Sequence, residues 1–152
     1  MKIKDFIVKF FASCFGVGFL PLIPGTFGSV VGLFLFYLVR NNTAAYILAT
    51  IIVIVLGFLL SGSAERAVGK KDARCIVIDE VSGIMISFLF IPFEIKFVIF
   101  GFFVFRLLDT LKPYPAGKLQ CLNGSAGVML DDLIAGIYTN IVLQIVFRLA
   151  SL

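Results

Sequence analysis

The chain has no histidine and no tryptophan, and only three cysteines among 152 residues. Without histidine there is no Ser-His-Asp triad, no phosphohistidine intermediate and no histidine-ligated zinc. Cys14, Cys75 and Cys121 are odd in number and far apart. They offer no disulfide framework and no paired metal-ligand spacing, and read as reduced structural thiols. None has an arginine six positions later, so a cysteine-phosphatase loop is absent, and no Asp-x-Asp pair supplies the usual aspartyl-phosphate motif. Charge is scarce as well, at 14% of residues with a net +4. The basic residues lie in short clusters between apolar runs, which suits membrane orientation and anionic headgroups, not nucleic acid. The N-terminus starts basic, but Pro21, Pro24 and Gly25 interrupt the apolar stretch after it, so no removable signal peptide is expected.

What the chain has in abundance is apolar surface. Hydrophobic residues make up 61% of it, 18 positions are Phe, and mean hydropathy is +1.11. A water-soluble domain of this size needs far more polar surface, so the excess must face lipid or a large partner. Residues 1–152 read as a single membrane-embedded domain. Five apolar segments can be drawn. The first starts near Phe10, breaks at Pro21-Leu22-Ile23-Pro24-Gly25, and resumes from Phe27 to Val39. The second, Ala44 to Ala64, is long enough to cross a core of ~30 Å. The third (Val81 to Phe93) and fourth (Phe97 to Leu108) read as a helical hairpin, and the fifth runs from Leu133 to Leu149. Their length and lack of alternation favour helix over strand. The expected fold is all-α: a polytopic helical membrane protein of about four to five hydrophobic helices, with a broken or re-entrant first segment.

The positive-inside rule orients this arrangement. With a cytoplasmic N-terminus and one crossing per segment, Lys2, Lys4, Lys9, Arg66, Lys70, Lys71, Arg74, Arg106, Lys112 and Lys118 lie inside, and only Arg40, Lys96 and Arg148 outside. The same topology brings Asp79, Glu80, Asp109, Asp131 and Asp132 to one cytoplasmic membrane surface. Of the other acids, Asp5, Glu65 and Asp72 are also cytoplasmic, and Glu94 falls on the far side.

Unpaired carboxylates at the ends of apolar helices are costly unless a metal ion or basic groups compensate them. Two acidic pairs and a fifth acid form a hard, oxygen-rich set suited to Mg²⁺, which completes its shell with water and phosphate oxygens. The plainer alternative is that these acids only favour helix N-termini. Arg106, Asp109 and Lys112, spaced i, i+3, i+6, share a helix face: either a phosphate grip beside an acid, or a membrane-edge salt bridge. The segment Pro24-Gly25-Thr26-Phe27-Gly28-Ser29 runs into a hydrophobic helix, whose free N–H groups can accept an anion. Gly124-Ser125-Ala126-Gly127 is similarly permissive. Arg66, Lys70, Lys71 and Arg74 form a basic loop that orientation and lipid attraction explain. The reaction class left is metal-assisted chemistry by carboxylates, most naturally on a phosphate.

In order along the chain, these motifs resemble the phosphatidylglycerophosphatase A family. They are Gly16-Val17-Gly18-Phe19-Leu20-Pro21-Leu22-Ile23-Pro24-Gly25-Thr26-Phe27-Gly28-Ser29, then Ile76-Val77-Ile78-Asp79-Glu80-Val81-Ser82-Gly83. Phe105-Arg106-Leu107-Leu108-Asp109-Thr110-Leu111-Lys112-Pro113-Tyr114-Pro115 comes next, and Gly127-Val128-Met129-Leu130-Asp131-Asp132-Leu133-Ile134-Ala135-Gly136 closes the set. One departure is Ser125 after Gly124, where the family pattern has adjacent glycines. The resemblance implies an all-helical bacterial enzyme of the cytoplasmic membrane. It would be a Mg²⁺-dependent phosphatase converting phosphatidylglycerophosphate to phosphatidylglycerol in phospholipid biosynthesis.

The resemblance leaves open which carboxylate binds metal and which acts as base; the residues themselves suggest a site. Asp79, Glu80, Asp131 and Asp132 would hold Mg²⁺; Asp109 would be a further ligand or orient the attacking water; Arg106 and Lys112 would neutralise the phosphate; Gly25, Thr26 and Ser29 would hydrogen-bond its oxygens. Two rival classes are weighed beside this one. An ion- or proton-coupled transporter would place its acids at mid-membrane and show an inverted repeat. A membrane scaffold would give the clustered carboxylates no purpose.

Overall fold

Segment ends, more than segment interiors, decide how these apolar runs fold. The structure, a computed structural model, describes residues 3–71 and 73–150; Lys2 and Asp72 lie outside the described residues. All regular structure among the described residues is helical: α1 Ile3–Ala12, α2 Pro24–Val39, α3 Thr43–Val68, α4 Ile78–Ser87, α5 Ile95–Leu111, α6 Ala116–Leu119 and α7 Ser125–Ala150, with one 3₁₀ turn at Val17–Phe19. Pro24 sits in the first turn of α2, where its missing N–H costs nothing. The Asn42 side chain accepts the Ala45 N–H at 3.0 Å and starts α3. Gly69, at φ 75°, stops α3 with its N–H on the Glu65 carbonyl.

Among the described residues, α3 and α7 are the two helices long and apolar enough to cross a membrane without tilting or thinning it. At 26 residues each, they run roughly 39 Å. Within their most apolar windows only 17% and 22% of residues are buried inside the chain. On α7 the exposed residues Ile137, Ile141, Ile145 and Leu149 recur every fourth position as one stripe. On α3, Leu48, Ile51, Ile52, Val55, Leu56 and Leu59 are exposed. Such a surface belongs to lipid, and the chain is a membrane protein.

Two segments depart from the sequence reading. α7 starts at Ser125, well before the expected Leu133, so Asp131 and Asp132 lie inside the helix instead of ahead of it. Both are buried, turned towards the bundle and away from lipid, which is what lets a helix of this hydropathy carry them. The third segment, expected to run to Phe93, is helical only over Ile78–Ser87, roughly 15 Å. Pro92 bars continuation, and the exposed carbonyls find donors elsewhere. Asn140 Nδ2 reaches the Ser87 and Leu89 carbonyls at 3.0 and 2.8 Å, Gln144 Nε2 reaches Leu89 at 3.1 Å, and the Tyr46 hydroxyl reaches Met85. Three side chains from α3 and α7 thus satisfy a helix end that would otherwise be unsatisfied in an apolar layer.

The packing centre is the crossing of α4 over α7. A Cβ on Gly136 would strike the Gly83 carbonyl; one on Gly83 would lie 2.8 Å from the Asp132 carbonyl oxygen and 2.6 Å from the Phe105 ring. Small residues at a crossing let backbones approach closely. Around it, Phe36, Ile84, Met85, Phe88, Phe105 and Leu143 form the main apolar core. A second cluster, including Val8, Ala12, Ile76, Ile78, Val128 and Met129, ties α1 to α3, α4 and α7.

Substituting Gly136→Val should destabilise the protein by at least ~2 kcal/mol, because the backbones must part. Ile137→Leu, on the lipid-facing stripe, should change stability by less than about 0.5 kcal/mol. Unfolding in mild detergent followed by circular dichroism reads both, and equal effects would contradict the close crossing.

Candidate active site

Asp79 lies four residues before Gly83, and Asp132 four residues before Gly136. Each is therefore one turn above the crossing on its own helix, and the glycine contact brings the two turns together. Carboxylate oxygens of Asp79, Glu80 and Asp132 lie within 4.8 Å of one another. Asp79 and Asp132 are 7% and 4% exposed. Asp79 also accepts the Glu80 backbone N–H at 3.0 Å, and both acids stand in the first turn of α4, where the helix dipole favours negative charge.

Asp109 completes the group from α5. Its carboxyl meets Asp132 and its charge reaches Glu80, while its Oδ2 is 2.7 Å from Arg106 Nη1. The i, i+3 pair anticipated from the sequence forms. Lys112, the third member of that pattern, does not stay on the face. It takes a left-handed backbone, φ 46° and ψ 59°, ends α5, and turns its Nζ to Asp131 Oδ2 at 2.6 Å. Neighbouring helix positions point about 100° apart, so Asp131 faces Lys112 while Asp132 faces the other acids. Of the four expected metal ligands, three converge and Asp131 stands in a separate ion pair.

Electrostatics explain why this cluster wants a cation. Burial pushes the Asp79 carboxyl well above its usual range, and the Glu80 charge pushes it further. Burial likewise raises Glu80, its hydrogen bond with Asp79 and the Arg106 charge pulling against that, the Asp109 charge adding to it. Burial acts to lower Lys112, but the hydrogen bond and charge of Asp131, with Asp132 and Asp109, outweigh it and hold the ammonium charged. The charges of Arg106 and Lys112 offset the four carboxyls of Asp79, Glu80, Asp109 and Asp132 only in part, and Glu80 Oε2 is buried with no hydrogen-bond partner among the described residues. Three hard oxygen donors, an orphaned carboxylate oxygen and a charge deficit fit a divalent cation such as Mg²⁺.

The α2 N-terminus closes one side. A Cβ at Gly25 would lie 2.3 Å from Glu80 Oε1 and 3.3 Å from both Arg106 Nη atoms, so a side chain here would push those two functional ends aside. Thr26 is partly buried beside it, its N–H donating to the Ile23 carbonyl at 3.0 Å. Ser29 is fully buried and donates its hydroxyl to the Gly25 carbonyl at 3.0 Å, so that donor is spent within its own helix.

A cavity of about 430 Å³ opens from this cluster, lined by Asp79, Glu80, Arg106, Gly25, Lys70 and Arg74 on its polar sides and by Leu22, Ile23 and Ile76 on others. Lys70 and Arg74 belong to the basic loop whose sequence pattern is explained by orientation and lipid attraction, with catalysis the lesser alternative. Their signal is position in a basic loop next to Asp79, but loop residues carry no periodicity that would aim them. The cysteines stay outside the chemistry: all three are free, and burial with the nearby Glu80 charge pushes the Cys14 thiol up to about 12.

The family model for phosphatidylglycerophosphatase A matches residues 10–147. A Bacteroides thetaiotaomicron protein with the provisional name phosphatidylinositol-3-phosphatase is 30% identical, over 95% of this chain and 96% of its own. The phosphatidylglycerophosphatase A of Escherichia coli is 33% identical over 81% of this chain and 73% of its own. That of Haemophilus influenzae is 32% identical over 84% and 81%. No solved structure matches.

Titration of Mn²⁺ into the purified protein should show binding that weakens more than about tenfold in Asp132→Asn and in Asp79→Asn. Asp131→Asn should weaken it less than Asp132→Asn does, since Asp131 is engaged by Lys112. Equal losses at the two neighbouring aspartates would contradict the three-carboxylate geometry.

Proposed function

The chain belongs to the phosphatidylglycerophosphatase A family, whose members are phosphoric monoester hydrolases, and we propose that it hydrolyses the terminal phosphate of phosphatidylglycerophosphate, with Mg²⁺, to give phosphatidylglycerol for phospholipid biosynthesis. The observation that carries this reading is the convergence of Asp79, Glu80 and Asp132, with Asp79, Glu80 and Arg106 lining a cavity that also has apolar residues on its walls.

In this reading Asp79, Glu80 and Asp132 hold Mg²⁺, with Asp131 steadied one position away by Lys112. A Mg²⁺ held by these three residues would supply charge neutralisation for the phosphoryl group and acidify a nearby water. Arg106 gives the phosphate oxygens a fixed guanidinium, and Gly25 lets the α2 N-terminus, a positive dipole end, approach the same oxygens. Thr26 lies next to them. Asp109, gripped by Arg106, orients the attacking water. The water oxygen bonds to phosphorus as the P–O bond to the glycerol carbon chain breaks. That bond's electron pair stays on the departing glycerol oxygen, which takes up the proton the water gives. Lys112 keeps its charge on Asp131 and helps set the local field.

Placement in the membrane obeys the same logic. The ends of α2, α3, α4, α5 and α7 that carry Pro24, Val68, Ile78, Leu111 and Ser125 surround the site, together with Lys70, Arg74, Arg106 and Lys112. The other end carries Arg40, stacked on Tyr37 at 3.9 Å and near Phe93, and the Lys96–Glu94 pair. The basic excess at the first end supports a site on the cytoplasmic face of the inner membrane. α3 and α7 cross fully; α2 and α5, roughly 24 and 26 Å long, cross by tilting or local thinning, and α4 reaches only part-way. That gives four crossings with the acyl chains of the substrate held in the bilayer and its headgroup in the cavity.

Purified protein in mixed micelles should release phosphate from phosphatidylglycerophosphate with Mg²⁺ and stop with excess EDTA. Asp132→Asn should lose at least ~100-fold in kcat. Full turnover in EDTA would contradict the metal; release from phosphatidylinositol 3-phosphate but not from phosphatidylglycerophosphate would move the substrate and keep the chemistry.

A further inference from the structure

Two basic side chains of the cavity have no task in the reaction just described. Lys70 and Arg74 come from the loop between α3 and α4 and are exposed, yet both line the cavity that holds Asp79, Glu80 and Arg106. Neither forms an ion pair among the described residues. Lys71, between them in sequence, is turned away and donates to the Cys121 carbonyl at 3.2 Å. Leu22 and Ile23, 90% and 56% exposed, supply an apolar lip to the same cavity.

A lone phosphomonoester needs the acid cluster and Arg106. Two further cations and an apolar lip, in about 430 Å³, describe a longer ligand with a second anion and a hydrocarbon end. We propose that Lys70 and Arg74 bind a second, non-reacting phosphate: the phosphodiester that joins a lipid's polyol headgroup to its diacylglycerol. The inference rests on the reading of the site as a lipid phosphomonoesterase and adds its specificity. The site then selects lipids that carry both a phosphomonoester and a phosphodiester. Arg74 supplies a planar fork that can take two diester oxygens, and Lys70 supplies a point charge on a flexible stem. Exposed singly, each cation gains little from one contact, so the pair acts together. Fixing the diester at the lip sets where the monoester falls along the headgroup, so remote binding positions the reacting phosphorus.

The test compares the full chain in mixed micelles on phosphatidylglycerophosphate and on phosphatidic acid, whose phosphomonoester sits directly on diacylglycerol with no diester. Wild type should prefer phosphatidylglycerophosphate. In Lys70→Ala/Arg74→Ala the ratio of kcat/KM for the two lipids should fall about tenfold, mainly through KM for phosphatidylglycerophosphate. Lys70→Arg/Arg74→Lys should restore most of the ratio, and phosphatidylinositol 3-phosphate, which has both phosphates, should respond as phosphatidylglycerophosphate does. If the double variant does not fold, Arg74→Gln alone should lower the ratio in the same direction. Equal losses on both lipids, an unchanged ratio, or a wild-type preference for phosphatidic acid would overturn the proposal. A folded wild type that releases phosphate from none of the three lipids would overturn the underlying reading instead.

Discussion

Everything at the site depends on how closely α4 and α7 can approach. Gly83 and Gly136 meet where any side chain would collide with backbone, and each stands one turn below an aspartate. Widening that contact by the thickness of one methyl group would separate Asp79 from Asp132. The position of the carboxylates is thus a packing result, set by absent side chains. α4 can be short enough to place its N-terminus at this depth only because Asn140, Gln144 and Tyr46 satisfy its far end. An acidic site and a truncated helix are two consequences of the same crossing.

The second constraint is charge. Buried carboxyls next to each other in an apolar bundle are unfavourable unless protons, cations or ion pairs offset them. The chain divides its acids accordingly. Asp131 has Lys112 and Asp109 has Arg106, whereas Asp79, Glu80 and Asp132 have no ion pair of their own among the described residues. The paired acids are neutralised within the fold, and the other three converge where a cation could be held. A cation there relieves the repulsion and, in the proposed reaction, meets the phosphate as well.

Much of this is legible in the order of residues alone. Long apolar runs with no alternation predict helices, and the basic residues predict one face for the acids. The ordered motifs point to a family that the comparisons then show. Other features are hidden. Adjacent Asp131 and Asp132 are indistinguishable as letters, and only helix phase, fixed by a start at Ser125, separates the ion pair from the cluster. Lys112 fits the i, i+3, i+6 pattern on paper, but its left-handed backbone before Pro113 removes it from that face. Ser29 looks like a phosphate donor beside two glycines, yet in a helix its hydroxyl reaches the carbonyl four residues back. Lys70 and Arg74 are visible only as charge, because loop geometry is set by tertiary contact. Asn140 and Gln144, spaced i, i+4 in an apolar run, are a signal of buried polar work that hydropathy alone does not read.

The most direct test of a metal held by Asp79, Glu80 and Asp132 against a phosphate is a spectroscopic one. Protein loaded with Mn²⁺ and a non-hydrolysable phosphonate analogue of phosphatidylglycerophosphate would be measured by pulsed electron paramagnetic resonance for coupling to phosphorus-31. The account predicts coupling from a phosphorus whose oxygen touches the ion, and its loss in Asp79→Asn/Asp132→Asn. Bound Mn²⁺ without phosphorus coupling, or coupling that survives both substitutions, would contradict it.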